Sequence, residues 1–542
     1  MGLRGEAAIV GYVELPPERL SKASPAPFVL EQWAELGAAA LQDAGLPGEV
    51  VNGIVASHLA ESEIFVPSTI AEYLGVGARF AEHVDLGGAS AAAMVWRAAA
   101  AIELGICDAV LCALPARYIT PSSKKKPRPM VDAMFFGSSS NQYGSPQAEF
   151  EIPYGNLGQN GPYGQVAQRY AAVYGYDERA MAKIVVDQRV NANHTDGAIW
   201  RDTPLTVEDV LASPVIADPL HMLEIVMPCV GGAAVVVANA DLAKRARHRP
   251  VWVKGFGEHV PFKTPTYAED LLRTPIAAAA DTAFAMTGLS RAQMDMVSIY
   301  DCYTITVLLS LEDAGFCEKG RGMEFVADHD LTFRGDFPLN TAGGQLGFGQ
   351  AGLAGGMHHV CDATRQIMGR AGAAQVPDCN RAFVSGNGGD PVRADHTHPR
   401  GRLIAMTTFE RPMPVKTPTT APFWDALAQH RIVIQYSPSL QSYVFYPRVR
   451  APRTLADDLE WREISGMGSL YSYTVAHRPV SPHFADAVPQ LLAIVEWDEG
   501  PRFSTEMVNV DPAQLRVGMR VQPVFCDYPE HDVTLLRYQP AD

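Results

Sequence analysis

A chain of 542 residues with a formal net charge of −16 is too long for one core and too acidic for general nucleic-acid binding. Its 47% hydrophobic and 19% charged residues are ordinary for a soluble globular protein; no apolar run approaches the roughly 20 residues of a membrane helix, and no basic region followed by an apolar core opens the chain. The eight cysteines are scattered without a C-x-x-C pair, which fits a reducing cytoplasm and gives no zinc site.

Residues 7–14 read as a first strand, and residues 28–44 as an amphipathic helix with Leu30, Trp33, Leu36, Ala40 and Leu41 at helical spacing, closed by Gly45. Strands follow at 52–57 and 80–90. The second ends in Asp85-Leu86-Gly87-Gly88-Ala89-Ser90, and an alanine-rich helix (91–104) and a strand (108–114) come next. The plan then recurs: a helix at 274–287 closed by Gly288-Leu289, a strand opening at Val297, Gly343-Gly344 before a helix at 354–368, and a strand at 381–385. Helix, Gly-Leu and strand repeat at an offset of 243, which predicts an internally duplicated α/β fold. Residues 116–225 form a long insert, read as a substrate-covering subdomain with helices at 166–174 and 178–191. A proline-rich linker at 406–420 leads to residues 421–542, where short strands with turns between them predict a β-barrel of OB type.

The stretch Val297-Ser-Ile-Tyr-Asp-Cys-Tyr-Thr304 presents Tyr300, Asp301, Cys302 and Tyr303 at a strand-to-helix turn. That is where an α/β sheet usually carries its chemistry; the plain alternative is a hydrogen-bonded strand end.

Residues 1–405 resemble the thiolase superfamily, and more narrowly the sterol-carrier-type thiolases and the lipid-transfer-type aldolases. The resemblance implies a layered αβαβα fold with halves at 1–115 plus 226–262 and at 263–405. The turn that carries the thiolase nucleophile, Cys-Ala-Ser-Gly, is Gly88-Ala89-Ser90-Ala91 here. The His-Asp-Cys-Phe motif is Tyr300-Asp301-Cys302-Tyr303. The Asn-x-x-Gly-Gly motif with its following Gly-His-Pro is Asn340-Thr341-Ala342-Gly343-Gly344 with Gly349-Gln350-Ala351, and Phe348 precedes it. The last glycine loop is Ser385-Gly386-Asn387-Gly388-Gly389 without cysteine. Residues 421–542 resemble the accessory family that joins a zinc ribbon to an OB barrel. Its four cysteine positions are Tyr436, Ser439, Ala451 and Thr454, so the hairpin is expected without zinc.

With glycine at position 88 an acyl-enzyme cannot form there. The resemblance then implies an acyl-CoA enzyme of aldolase type that cleaves a 3-hydroxyacyl-CoA such as a sterol or other bulky side-chain thioester. It assigns Tyr300 as proton-transfer group, Asp301 as its orienter, Cys302 as a second acid/base, and Gln350 with Gly88 as the oxyanion environment. Expected substrate contacts are His221, Asn340, Gly343, Gly344, Phe348, His359, Asn387 and Gly388, with Lys124, Lys125, Lys126 and Arg128 on the CoA phosphates. The plainer reading of His358 and His359 is satisfied core or capping histidines, and that of the lysine cluster a solvated loop. Two alternatives stand beside the aldolase: a thiolase-type acyltransferase using Cys302, and a non-catalytic acyl-CoA-binding or scaffold subunit. The family implies a homodimer, with further subunits in a pathway complex, and no metal or organic cofactor is expected.

Overall fold

The computed structural model describes residues 3–19, 28–59, 62, 64–117, 146–156, 158–388 and 411–541. Among the described residues up to 388 there are ten strands: β1 Ala7–Arg19, β2 Gly53–Ala56, β3 Phe80–His83, β4 Ala109–Ala116, β5 Val215–Ala217, β6 Leu220–His221, β7 Cys229–Asn239, β8 Val251–Trp252, β9 Met296–Ser298 and β10 Ala382–Val384. The first half builds a six-stranded sheet in the order β3-β2-β4-β7-β1-β8. β2 runs parallel to β3 and β4, whereas β7 is antiparallel to β4 and β1.

The central strand β7 has no counterpart in the sequence reading. Its Val-Gly-Gly-Ala-Ala opening lacks the bulk of an ordinary strand, yet nearly all of it is buried between two helical layers. On one face the helix Val29–Ala44 sets Trp33 and Leu36 against Ile54 and Val236. On the other lie the helices Ser90–Glu103 and Ala354–Ile367, where Met94 and Ala98 share a core with Met357 and Val360. Small side chains on these two helices let them occupy one layer.

The duplication is present. Gly45 and Gly288 both end their helices in the left-handed region, at φ 68 each. β9 pairs in parallel with β10 as β2 does with β4. The second sheet is smaller, two strands extended by a bridge from Val297 to Leu339.

Residues 432–540 add β11 Ile432–Ser437, β12 Ser442–Val444, β13 Glu460–Ile464, β14 Gly468–Ala476, β15 Gln490–Trp497, β16 Arg502–Glu506, β17 Arg520–Tyr528 and β18 Val533–Pro540. The OB-type sheet has the order β16-β15-β14-β17-β18. Its outer strands meet at a bridge between Met507 and Tyr538, and no continuous ladder closes the expected barrel. β13 (Glu-Trp-Arg-Glu-Ile) and β16 (Arg-Phe-Ser-Thr-Glu) escape a pattern reading because polar residues outnumber apolar ones in both. The ribbon positions lie in and beside the β12-β11-β13 sheet. There Asp458 accepts from the Ser439 amide (2.8 Å) and the Ser437 hydroxyl (3.1 Å), and Arg462 lies 3.6 Å over the Tyr436 ring. A carboxylate hub and a cation–π contact hold this hairpin.

The insert and the C-terminal domain share structure. Ala217 of β5 pairs with Ala476 of β14, and the helix Asn160–Tyr174 lies on the same strand. The linker region from Arg411 onward is pinned, since the Arg411 guanidinium donates to the Pro153 carbonyl and to Glu506, both at 2.8 Å. A β-carbon on Gly164 would stand 2.6 Å from the Thr474 hydroxyl. Gly164→Ala is therefore expected to cost about 1–3 kcal/mol through overpacking, read as a lowered midpoint in denaturant unfolding. An unchanged midpoint would show that helix and sheet have room to separate.

Candidate active site

The turn after β9 is held rigid by one side chain. Asn340 Oδ1 accepts from the Ile299 amide (2.7 Å), and its Nδ2 donates to the Ile299 carbonyl (3.0 Å). Asn340 itself takes a left-handed backbone (φ 50), which asparagine tolerates better than most residues. Its amide is thus spent on the chain and is not the substrate contact expected of it. The helix Thr304–Asp313 begins three residues after Asp301.

Tyr300 occupies the position that defines the site. A β-carbon built on Gly88 would lie 2.2 Å from Cζ and 2.3 Å from Oη of Tyr300. The phenol fills the volume in which a nucleophilic cysteine side chain would start. Gln350 Nε2 donates to the Tyr300 hydroxyl (3.4 Å), and the Tyr300 amide donates to Ser385 Oγ (3.4 Å). Tyr300 retains 7% exposure. Burial pushes its phenol well above the ordinary tyrosine value, so it is neutral at rest.

Asp301 does not orient Tyr300 through a hydrogen bond, contrary to the expectation. Its Oδ1 accepts from the Gln345 amide (2.9 Å) and its Oδ2 from the Leu346 amide (3.2 Å), in the short helix Gly344–Gly347. His359 completes the frame. Its Nε2 lies 3.1 Å from Asp301 Oδ1 and its Nδ1 lies 2.9 Å from Ser298 Oγ, with Ser298, Asp301 and His359 all fully buried. His359 is therefore a brace behind Tyr300, with ring centres 5.9 Å apart, rather than a substrate contact. Gly344 is required by the same frame, since a β-carbon there would meet Asp301 Oδ2 at 2.2 Å. A β-carbon on Gly343 would press on Ala192, which makes that glycine structural too.

Cys302 is buried beside Thr306, with Sγ 3.6 Å from the hydroxyl, and burial pushes its thiol up to about 12. A thiolate nucleophile is disfavoured there. Tyr303 donates to Asn160 Oδ1 (2.6 Å) and stacks on Tyr163 at 4.2 Å. Asn387 Nδ2 in turn donates to the Tyr163 hydroxyl (3.1 Å). Tyr163, Ser385, Asn387, Gly388, Gly87 and Ala89 are among the walls of a cavity of about 1550 Å³. Asn387 and Gly388, expected as substrate contacts, are thus placed at the cavity. Tyr163 was missed, its only signal being a Gly/Asn/Gln/Tyr-rich stretch at 154–163.

Two other expectations fall away from the cavity. His221 turns its Nδ1 to the Ser213 carbonyl (2.8 Å). Phe348 stacks on His358 at 4.3 Å, and His358 is itself tied to the buried Glu14 (2.7 Å). Neither His221 nor Phe348 is among the cavity walls; Tyr300 and Gln350 are not among them either, but Tyr300 lies directly behind them, against Gly88 and hydrogen-bonded to the wall residue Ser385. Lys124, Lys125, Lys126 and Arg128 lie outside the described residues.

Two measurements follow from this geometry. Gly88→Ala must displace the Tyr300 ring, so its effect on turnover is expected to match that of removing the Tyr300 hydroxyl; wild-type turnover in Gly88→Ala would mean that the ring moves aside freely. With its thiol raised to about 12, Cys302 carries a thiolate fraction of about 10⁻⁴ at pH 8. Peptide mapping after iodoacetamide should leave it unlabelled at pH 8 in the native protein, with labelling rising toward strongly alkaline pH. Rapid labelling at pH 8 would reopen its candidacy as nucleophile.

Residues 257–398 match the family described as Thiolase C-terminal domain-like, and residues 461–526 match that described as ChsH2, C-terminal OB-fold domain. A steroid side-chain-cleaving aldolase of Thermomonospora curvata is 30% identical over 410 residues, covering 72% of this chain and 97% of that protein. The 17-hydroxy-3-oxo-4-pregnene-20-carboxyl-CoA lyase of Mycobacterium tuberculosis is 29% identical, covering 68% of this chain and 92% of that one. Among solved structures, an Ltp2-ChsH2(DUF35) aldolase superposes with a TM-score of 0.58 at 27% identity, over 72% of this chain and 96% of that one. A monomeric SCP2-thiolase-like protein from Mycobacterium smegmatis shares the fold over 99% of both chains, with a TM-score of 0.61 and 17% identity. The chain belongs to the thiolase-fold family that includes the steroid side-chain-cleaving aldolases, and carries a ChsH2-type OB-fold domain on the same polypeptide.

Proposed function

We propose that this protein is a lyase that cleaves a 3-hydroxyacyl-CoA by retro-aldol chemistry, releasing a carbonyl compound and a shortened acyl-CoA. The observation that carries the reading is the Tyr300 hydroxyl standing in the volume that a side chain at Gly88 would need. A proton-transfer group replaces a nucleophile at the reacting centre, so the chemistry that remains moves protons and breaks a C–C bond without an acyl-enzyme.

Burial keeps Tyr300 neutral, which shapes the step. Its oxygen takes the C3 hydroxyl proton as its own proton passes to C2. The C2–C3 bond breaks with its electrons moving toward C2 and the thioester, C3 becomes a carbonyl carbon, and the phenol ends unchanged. Gln350, aimed at the Tyr300 hydroxyl, steadies the oxygen through both transfers. No step calls for a metal, an organic cofactor or free CoA. The relatives named for steroid side-chain cleavage and for a pregnene carboxyl-CoA ester, together with a cavity of about 1550 Å³, support a bulky polycyclic or branched thioester. The family resemblance supports a cytoplasmic homodimer joined through the thiolase domain, with room for further subunits. Among the described residues, no helix is long and apolar enough to cross a membrane.

The test is mass spectrometry of the purified protein with 3-hydroxyacyl-CoA thioesters, including one on a steroid side chain, with and without added CoA. Cleavage is expected without CoA, with kcat lowered about 100-fold or more in Tyr300→Phe. Cleavage that consumes CoA would return the protein to the thiolases. Binding without product from any thioester would make it a non-catalytic acyl-CoA carrier.

A further inference from the structure

We infer that Tyr163, supplied by the insert, is a catalytic residue whose O–H donates a hydrogen bond to the thioester oxygen as the enolate forms. The assignment takes its substrate from the acyl-CoA reading above, but it stands on its own geometry. Tyr300 supplies the protons, and the negative charge that builds on the thioester oxygen needs a separate donor. Of the three phenols clustered around Cys302, Tyr163 is the one that forms part of the cavity wall.

Its surroundings suit a donor. The ring is fixed by the 4.2 Å stack on Tyr303, and Tyr303 is anchored through its own hydroxyl to Asn160, at the start of the helix that bears Tyr163. Asn387 donates to the Tyr163 oxygen at 3.1 Å. With that lone pair engaged, the hydroxyl hydrogen must point elsewhere, and a donor whose oxygen already accepts a bond is polarised into a stronger one. The Cys302 thiol lies within reach of that hydroxyl. Sulfur is a weak acceptor and is readily given up for a charged oxygen. Burial raises the Tyr163 phenol well above its usual value, so the donor keeps its proton throughout. Tyr163 hydrogen-bonds, Tyr300 transfers, and no further co-reactant enters.

Exchange of α-protons with deuterium tests this from the acyl-CoA side: with a ketone present, Tyr300 takes the C2 proton as its own passes to the ketone oxygen, and the same enolate forms. Propanoyl-CoA with propanone in D₂O would be followed by NMR with the full-length protein, alongside kcat and KM for cleavage of the 3-hydroxyacyl-CoA. Tyr163→Phe keeps the ring and its stack, and an unchanged unfolding midpoint would verify the fold. It is expected to slow exchange and cleavage together by about 100-fold or more, with KM unmoved. Asn387→Ala should give a smaller loss in the same two readouts.

Undiminished exchange and cleavage in Tyr163→Phe would overturn the assignment and leave the lyase reading intact. A rise in KM alone would also overturn it, making Tyr163 a binding surface. Wild-type exchange that needs no ketone and is lost in Tyr163→Phe, without cleavage of any hydroxyacyl-CoA, would keep the assignment and remove the lyase. Neither exchange nor cleavage in the wild type would remove both.

Discussion

One steric exclusion governs this site: a β-carbon at position 88 and the phenol of Tyr300 cannot both exist where they are. Everything around the pair serves to hold the phenol in place. Asn340 splints the backbone immediately before Tyr300, and Asp301 immediately after it is gripped by two amides of the Gly344–Gly347 turn. That grip depends in turn on the absence of a side chain at Gly344. Glycines that would only loosen the backbone elsewhere act here as vacated volume into which a functional group is pressed.

The polar frame behind the phenol is costly to assemble and costly to disturb. Ser298, His359 and Asp301 are sealed from water, and each finds a partner within the frame. Breaking one buried member leaves the others unsatisfied, with a penalty of about 1–3 kcal/mol or more where charge is involved. Fully partnered, the frame fixes one orientation of the turn, and so one position of the Tyr300 ring. The carboxylate and imidazole look catalytic by residue type, but they are positioning residues by contact.

Local pattern carried much of this into view. The helix-glycine-strand repeat at 45 and 288, the turn at Gly88 and the polar stretch at 300–303 all lie within short windows where periodicity and capping speak directly. β7 was not legible because its glycines and alanines dilute the strand signal while making it fit between two layers. The direction of the Asp301 and Phe348 side chains was not legible either. A one-residue step along a turn sends a side chain to the cavity or to the core, and only the packed neighbours decide which. Tyr163 was hidden for another reason. It reaches the site from a segment some 140 residues away in the chain, guided by contacts with Tyr303 and Asn387 that no short window contains.

The helix that bears Tyr163 has its back against β14 of the OB-type sheet, with Gly164 fitted to Thr474. A wall of the cavity is therefore buttressed by a domain that follows it by some 300 residues on the same polypeptide. In a two-chain arrangement such a buttress would come and go with concentration. Here the covalent connection sets a fixed local concentration, and dilution cannot strip the wall away. Stiffness at the reacting centre becomes a property inherited from a distant β-sheet, so drift in the outer strands of that sheet would be felt as drift in the aim of a single phenol.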